Sequence, residues 1–287
     1  MLPDFLCIGA KKAGTSWLHS VLQAHPEIRL PPVKEIHYFD TPSMIPRILQ
    51  PQALPVLYRQ DLRNAWAHRR HKGYRYWYLR YFLLPRNDAW YASLFSPGEG
   101  QISGEFTPRY GTLAVESVAS IHALIPTAKI IFLLRNPIDR TWSDVHHELR
   151  MLALQGQPVH EQETFIKRSM AQATPHRHSD YLASLTIWES FYPPEQLFVG
   201  FFEQIQDSPR QLLFDIYRFL GLECSDQYLS PAIPRKVNKG SYSPITPHWG
   251  RFLAKRYYQS LVGLHQRFNN TSTASWLCSA EGYLQPN

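Results

Sequence analysis

Between Phe5 and Leu22 the chain passes from an apolar stretch through a glycine-bearing turn into helical spacing, and few folds accept that order. Phe5-Leu6-Cys7-Ile8 ends at Gly9, Lys11-Lys12-Ala13-Gly14 turns, and Trp17, Leu18, Val21 and Leu22 then share a helical face. A second apolar run, Lys129 to Leu134, reads as a strand buried on both faces, which favours a parallel sheet. It stops at Arg135-Asn136-Pro137, and Pro137 suits the first turn of a helix running to about Arg150. Gln196 to Phe201 is a third buried-strand candidate. Helices are expected before it, over Ser179 to Phe191, and after it, over Arg210 to Leu220, the second closed by Gly221. This alternation predicts an α/β fold, P-loop-like and three-layered, with a central parallel sheet flanked by helices.

Composition limits the alternatives. The 287 residues are 44% apolar and 18% charged, which excludes a disordered chain and is enough for a sizeable core in one domain over 1–287. No run approaches the ~18 consecutive apolar residues of a membrane span. Met1-Leu2-Pro3-Asp4 lacks the basic region of a signal peptide, so no leader or anchor with a stem is expected. Cys7, Cys224 and Cys278 are too scattered for a disulfide framework or zinc, which points to a reducing cytoplasm. Lys plus Arg is 30 against 23 Asp plus Glu, and the net charge of +7 favours an anionic ligand.

The segment 41–95 is rich in Pro, Arg and aromatics. Tyr74, Trp77, Tyr78, Tyr81 and Phe82 fall on one helical face. We read it as an aromatic-rich helical insertion, a lid over the substrate side; the stripe itself reads first as core packing, and as an apolar acceptor wall that includes Tyr78 if the insertion overhangs the cofactor edge. The polar tail 270–287 is expected to be loosely held. His146-His147 and His176-x-His178 lack metal-ligand spacing, so no metal is expected. Arg69-Arg70-His71-Lys72 reads as a solvated face without a nucleic-acid module around it.

Gly9 to Ser16, between strand and helix, is a ready anion site of backbone N–H groups at a helix N-terminus. It is not a Walker loop: Thr15 follows Gly14 directly, and the lysine, Lys12, precedes the glycine. Nucleotide hydrolysis on such scaffolds needs an acid for magnesium, commonly at a strand end, whereas the strand from Lys129 ends in Arg135. The loop therefore asks for an anion without a metal. Ser143 lies two helical turns beyond Arg135, and at ~1.5 Å rise per residue both can converge on an anion at the sheet's carboxyl edge.

Lys12-Ala13-Gly14-Thr15-Ser16-Trp17 and Arg135-Asn136-Pro137 through Arg140 to Ser143 together resemble the two cofactor signatures of the PAPS-dependent sulfotransferases. Lys34-Glu35-Ile36-His37-Tyr38-Phe39-Asp40 is similar to the segment that carries the catalytic base in heparan-sulfate-type and bacterial members. Gly104-Glu105-Phe106-Thr107-Pro108-Arg109-Tyr110 and the late Lys239-Gly240 loop also match, in family order, over about residues 4 to 245. The resemblance implies that Lys12, Ala13, Gly14, Thr15, Ser16 and Trp17 hold the 5′ end of PAPS. It likewise implies that Arg135, Ser143, Lys239 and Gly240 hold its 3′-phosphate, and that no metal is required. Lys12 would stabilise the leaving oxygen, Glu35 would be the base with His37 as runner-up, and Glu105 would orient base or acceptor. The resemblance places Phe106 on the substrate side with Glu105, where the heparan-sulfate enzymes usually carry Lys, which argues against a polyanionic glycan. The implied reaction is sulfuryl transfer from PAPS to a hydroxyl, less readily an amine, of a small or medium-sized acceptor such as a secondary metabolite. The rivals are a P-loop-type nucleotide-dependent kinase and a non-catalytic, basic polyanion-binding protein.

Overall fold

The first strand, β1 (Phe5–Gly9), is buried at every position and turns into α1 (Thr15–Leu22), whose apolar face also lies in the core. Gly14 caps α1 with φ 91, a backbone that side-chain-bearing residues rarely adopt, and a Cβ there would press on the tip of the Ile205 side chain. The computed structural model describes residues 1–41, 43–49, 63, 66, 72–157, 159–172, 176–230, 233 and 243–285. After α1 come β2 (Ile28–Arg29), α2 (Lys72–Leu83), α3 (Asp88–Ser93), β3 (Ile102–Phe106), α4 (Val115–Leu124) and β4 (Lys129–Leu134). Then follow α5 (Pro137–Leu154), α6 (Gln162–Ala171), α7 (Tyr181–Glu189), β5 (Leu197–Phe201), α8 (Phe202–Asp207), α9 (Pro209–Leu220), α10 (Pro247–Phe268) and α11 (Thr271–Leu284).

The strands pair in the order β2-β3-β1-β4-β5, and every pairing is parallel. The chain leaves β1 on one side for β3 and on the other for β4, so the strand order reverses at β1. That reversal opens a crevice beyond the carboxyl ends of the strands, where α/β sheets bind ligands. Helices flank the sheet, and one large core runs from β1 and β4 to Trp188, Tyr217, Leu253 and Trp276. The expected strand from Gln196 is β5, and the helices expected around it are α7 and α9. The helix after Pro137 runs to Leu154, about a turn beyond its expected end.

Three expectations change. Residues 271–284 are not a loose tail: α11 buries Trp276 and Ala280, and the Trp276 indole donates to Glu203 at 2.8 Å. A buried indole of roughly 200 Å² contributes on the order of 5 kcal/mol before entropy. The polar run that looked like a tail is a capping turn. Asn269 (φ 43) ends α10, and the Asn270 side chain accepts from Thr273 N to start α11.

The second change concerns α2. Its aromatic face forms as expected, yet Trp77, Tyr78, Tyr81 and Phe82 bury themselves against Val33, Ile36, Trp90, Tyr91, Leu94 and Phe95 as a second core. Tyr78 is 5% exposed, so it packs in that core and forms no acceptor wall. Thirdly, Phe106 does not face an acceptor. It is 2% exposed and meets the Phe5 and His19 rings edge-on.

Candidate functional site

The crevice beyond β1 collects the phosphate loop, the start of α5 and the segment Lys34–Asp40. Lys12 sits in the loop with φ 71, a conformation that side-chain-bearing residues adopt only when their surroundings impose it. Arg135, at the end of β4, supplies part of that constraint by donating from Nη1 to the Lys12 carbonyl at 3.0 Å. Its guanidinium lies 4.5 Å from the centre of the Phe202 ring, which fixes its plane. Burial pushes the Lys12 ammonium down to about 8, with Lys11, Arg150 and Arg135 adding repulsion that Asp144 only partly offsets. No hydrogen bond or ion pair holds that ammonium among the described residues.

Lys11 points the other way and pairs with Asp144 at 2.9 Å. Asp144 also takes Arg140, wholly buried, at 3.2 Å. Burial alone would raise the Asp144 carboxyl, but the two cations hold it at about 2. This strut ties the loop to α5 beside Ser143, which is 5% exposed. Thr15, Ser16 and Trp17 stand in the first turn of α1 as expected, with Ala13 buried beneath the loop. Lys239 and Gly240 lie outside the described residues.

The opposite wall is built differently. Glu35 (φ 69) and His37 (φ 57) both have left-handed backbone. Such residues cost about 1–3 kcal/mol each and persist only where neighbours over-determine them. Here Glu35 N donates to the Phe106 carbonyl at 2.9 Å, Tyr38 N to the Tyr110 hydroxyl at 2.9 Å, and Arg86 Nη2 to the His37 carbonyl at 2.6 Å. Tyr38 stacks on Tyr91 at 4.8 Å and donates its hydroxyl to Asp88 at 2.6 Å. The second core therefore grips this segment from α2 and α3.

Glu105 sits behind it, 2% exposed, accepting from Tyr91 at 2.5 Å, Thr107 at 2.7 Å and Tyr110 at 2.8 Å. Burial raises its carboxyl, and the three hydroxyls oppose that rise. Through Tyr110 it reaches the backbone of Tyr38, so Glu105 positions the segment and does not itself line the crevice.

The titrating groups form a line. His37 Nδ1 meets Asp40 at 2.7 Å, and His37 Nε2 lies 3.4 Å from Glu35 Oε2. Arg109 Nε, on a half-exposed side chain, completes the line at 3.2 Å from Asp40. Burial would lower His37, but Asp40 and Glu35 lift it to about 9. Burial would raise Glu35, but His37 and Lys34 hold it at about 2. At neutral pH Glu35 is a carboxylate and His37 an imidazolium, so only Glu35 is in the form that accepts a proton.

Reading the sequence missed Lys34, Asp40 and Arg86. Lys34 Nζ donates to Ser16 Oγ at 3.0 Å, Thr15 Oγ1 at 3.3 Å and Glu35 Oε1 at 3.2 Å, so it joins the two walls. Its place directly before Glu35 was the available signal; Arg86, some fifty residues further along the chain, offered none. No group of three or more His, Cys, Asp and Glu converges as a metal site among the described residues. Nor is any described helix long and apolar enough to cross a membrane.

Known proteins are similar to this chain in sequence and fold. The family model described as "Sulfotransferase family" matches residues 3–226. The human bifunctional heparan sulfate N-deacetylase/N-sulfotransferase 2 is 27% identical over 237 residues, 77% of this chain and 22% of that protein. The human heparan sulfate glucosamine 3-O-sulfotransferase 6 is 30% identical over 143 residues, 50% of this chain and 29% of that one. The chain thus spans less than a third of the length of either relative. A solved sulfotransferase from Alicyclobacillus acidocaldarius has the same fold, with TM-score 0.65 at 22% identity over 96% of this chain and 99% of that one. So has a mouse sulfotransferase complexed with PAP, with TM-score 0.55 at 13% identity over 98% of this chain and 89% of that one.

Proposed function

Since the chain belongs to the sulfotransferase family, we propose that it transfers the sulfuryl group of PAPS to a hydroxyl of a small or medium-sized acceptor. One observation carries this reading: Lys12 and Arg135 meet at the end of the two central strands, and among the described residues the carboxylate coupled to Lys12, Asp144, is already taken by Lys11 and Arg140. Lys12 fits a phosphosulfate because its ammonium is buried enough to be lowered to about 8 and no hydrogen bond or ion pair holds it among the described residues.

Bound PAPS supplies an activated sulfuryl group on a phosphate that departs with PAP. The protein does the rest by position and charge. The N–H groups from Ala13 to Trp17 and the Thr15 and Ser16 hydroxyls cradle the 5′ end. Lys12 takes the charge that develops on the leaving oxygen. Arg135 and Ser143 hold the 3′-phosphate, with Lys239 and Gly240 assigned there by the family pattern. Glu35 receives the proton that the acceptor hydroxyl loses, while His37, already protonated, keeps Glu35 oriented and is itself set by Asp40. Glu105 holds the whole segment through Tyr110.

A second reading has its own support. The two heparan sulfate relatives and the half-exposed Arg109 beside Asp40 favour an acidic acceptor, with an amine or a hydroxyl as the nucleophile. Incubation with sulfur-labelled PAPS and a panel of neutral alcohols, phenols and heparan fragments separates the two. Label on neutral acceptors, lost in Glu35→Gln, supports the first reading; label confined to acidic glycans supports the second.

A further inference from the structure

The net charge is not spread over the chain. The segment 41–95 carries nine Lys and Arg against Asp61 and Asp88, while the remaining residues carry 21 Lys and Arg and 21 Asp and Glu, so the whole excess of +7 belongs to that segment. Two of its arginines are spent inside: Arg47 and Arg86 are buried, over the Tyr81 and Trp90 rings. Arg63 and Arg75 are exposed and Arg80 is half-buried, and among the described residues no carboxylate pairs with any of the three.

Exposed apolar surface gathers in the same place. Nine of the thirteen large apolar side chains exposed among the described residues lie in 41–95, each with 42% to 70% of its surface in water. In α2 the buried Trp77, Tyr78, Tyr81 and Phe82 take one side, whereas Tyr76, Leu79 and Leu83 line the other at i, i+3 and i+7. At about 100° per residue, Arg75 and Arg80 fall on either flank of that outer stripe. The turn Arg47–Leu49 packs against α2 and exposes Ile48 and Leu49. Met44, also exposed, is tied to the end of α2 by its carbonyl, which accepts from Arg86 N at 3.2 Å. Asp88, the one described carboxylate of the segment, is already taken by the Tyr38 hydroxyl.

We propose that this outer face of α2 and the turn beside it docks on an anionic lipid bilayer, lying in the headgroup region without crossing it. Contiguous apolar surface flanked by unpaired cations makes two demands at once, and the candidate occupants meet them unequally. A second copy of the chain brings the same positive excess against this one and is opposed by repulsion. A nucleic acid answers the guanidiniums but leaves the aliphatic side chains in water. A bilayer surface answers both. The boundary between headgroups and acyl chains takes Tyr76, Leu79 and Leu83, and anionic phosphates take the guanidiniums, whose stems lie along apolar surface while their heads reach out. A basic amphipathic helix is the sequence form of such a contact. No described helix is long and apolar enough to span a membrane, so the contact is peripheral. α2 then works on both sides, packing the second core with one face and meeting lipid with the other. Docking is independent of the chemistry in the crevice.

Vesicle co-sedimentation at about 0.1 M salt compares phosphatidylcholine alone with phosphatidylcholine containing phosphatidylglycerol. The wild type is expected to bind the anionic vesicles at least about tenfold more tightly than the neutral ones. The double variant Leu79→Asp/Leu83→Asp is expected to lose about tenfold or more of that binding, and Arg75→Gln about fivefold. Thermal melting is expected to stay near wild type, because the substituted side chains face water. Equal binding to both vesicles, or anionic binding untouched by the leucine variant, overturns the proposal. Binding to neither overturns it as well and leaves the face to an acidic protein. Self-association in sedimentation velocity that the leucine variant abolishes gives the face to a second copy, against the proposal. Should the leucine variant melt far below wild type, the decision rests on Tyr76→Asp, the most exposed position of the stripe. A loss of about threefold or more is expected there, and unchanged binding contradicts the docking.

Discussion

The two walls of the crevice are held by different means. The phosphate-loop wall is anchored in the main core: β1 and β4 end side by side, Gly14 leaves room for Ile205, and Arg135 closes onto the Lys12 carbonyl. The Glu35 wall has no strand or helix of its own. It is a stretch of left-handed backbone pinned from other parts of the chain, by Tyr110 of the main core, Arg86 between α2 and α3, and Tyr91 of the second core. One wall is therefore built on the ends of paired strands; the other has no regular element of its own and depends on side-chain contacts.

Glu35→Gln is the strongest way to sharpen this division. Loss of a positioned base costs about 10²–10⁴-fold in rate. Labelled transfer from PAPS is expected to fall by that much, while calorimetric PAP affinity stays within about threefold. A parallel collapse of PAP affinity would mean that the walls are not separable.

Tyr81→Ala attacks the second core alone. Tyr81 is fully buried and stacks on Trp77 at 4.9 Å. Truncating a buried aromatic of this size costs about 3–5 kcal/mol. Hydrogen exchange is expected to show loosening from residues 33 to 41 and in α2 and α3, with the amides of β1 and β4 still protected. Uniform loss of protection would contradict two separate cores.

Asp144→Asn works on the opposite wall. It leaves the wholly buried Arg140 and the Lys11 ammonium without their shared counter-ion. Removing one partner of a buried pair costs about 3 kcal/mol, measurable by denaturant titration. PAP affinity is expected to drop with it, whereas the hydrogen-exchange protection of residues 33 to 41 is not.

The smallest effect is a pH dependence with opposite origins on the two sides. Lys12 titrates at about 8 in the free protein, and an anion favours its charged form, so PAP affinity is expected to fall as pH rises above about 8. The slope approaches tenfold per pH unit, and Lys12→Arg flattens it. His37, raised from 6.5 to about 9, contributes stability fully below pH 6.5 and loses it as pH rises through 9. Thermal melting of His37→Gln against wild type across pH 6–10 isolates that contribution.

The same division explains what the sequence made legible. The phosphate loop, β4 and the Arg135 turn are continuous segments with a pattern of their own, so the parallel α/β sheet and its carboxyl edge could be read directly. β3 was not read as a strand because Ser103, Gly104 and Glu105 interrupt its apolar run. Gly104 makes room for the Phe5 ring and Glu105 is buried with three hydroxyl partners, and neither compensation is visible along the chain. Glu35 and His37 were found by their motif, but what sets the Glu35 carboxyl is not written along the chain. Its pairs with His37 and Lys34 lower it against the effect of burial. Aromatic periodicity located α2 correctly and left its role open, because a stripe looks alike whether it faces a ligand or another core. The polar turn before α11 misled for a related reason: capping residues and loose tails share a composition.

The most direct measurement is a calorimetric titration of PAP without metal, beside ATP with magnesium, on wild type and Arg135→Ala. The account predicts micromolar binding of PAP to the wild type, loss of most of that affinity in Arg135→Ala, and weak or no binding of ATP with magnesium. Tighter binding of ATP with magnesium, or PAP affinity untouched in Arg135→Ala, would contradict it.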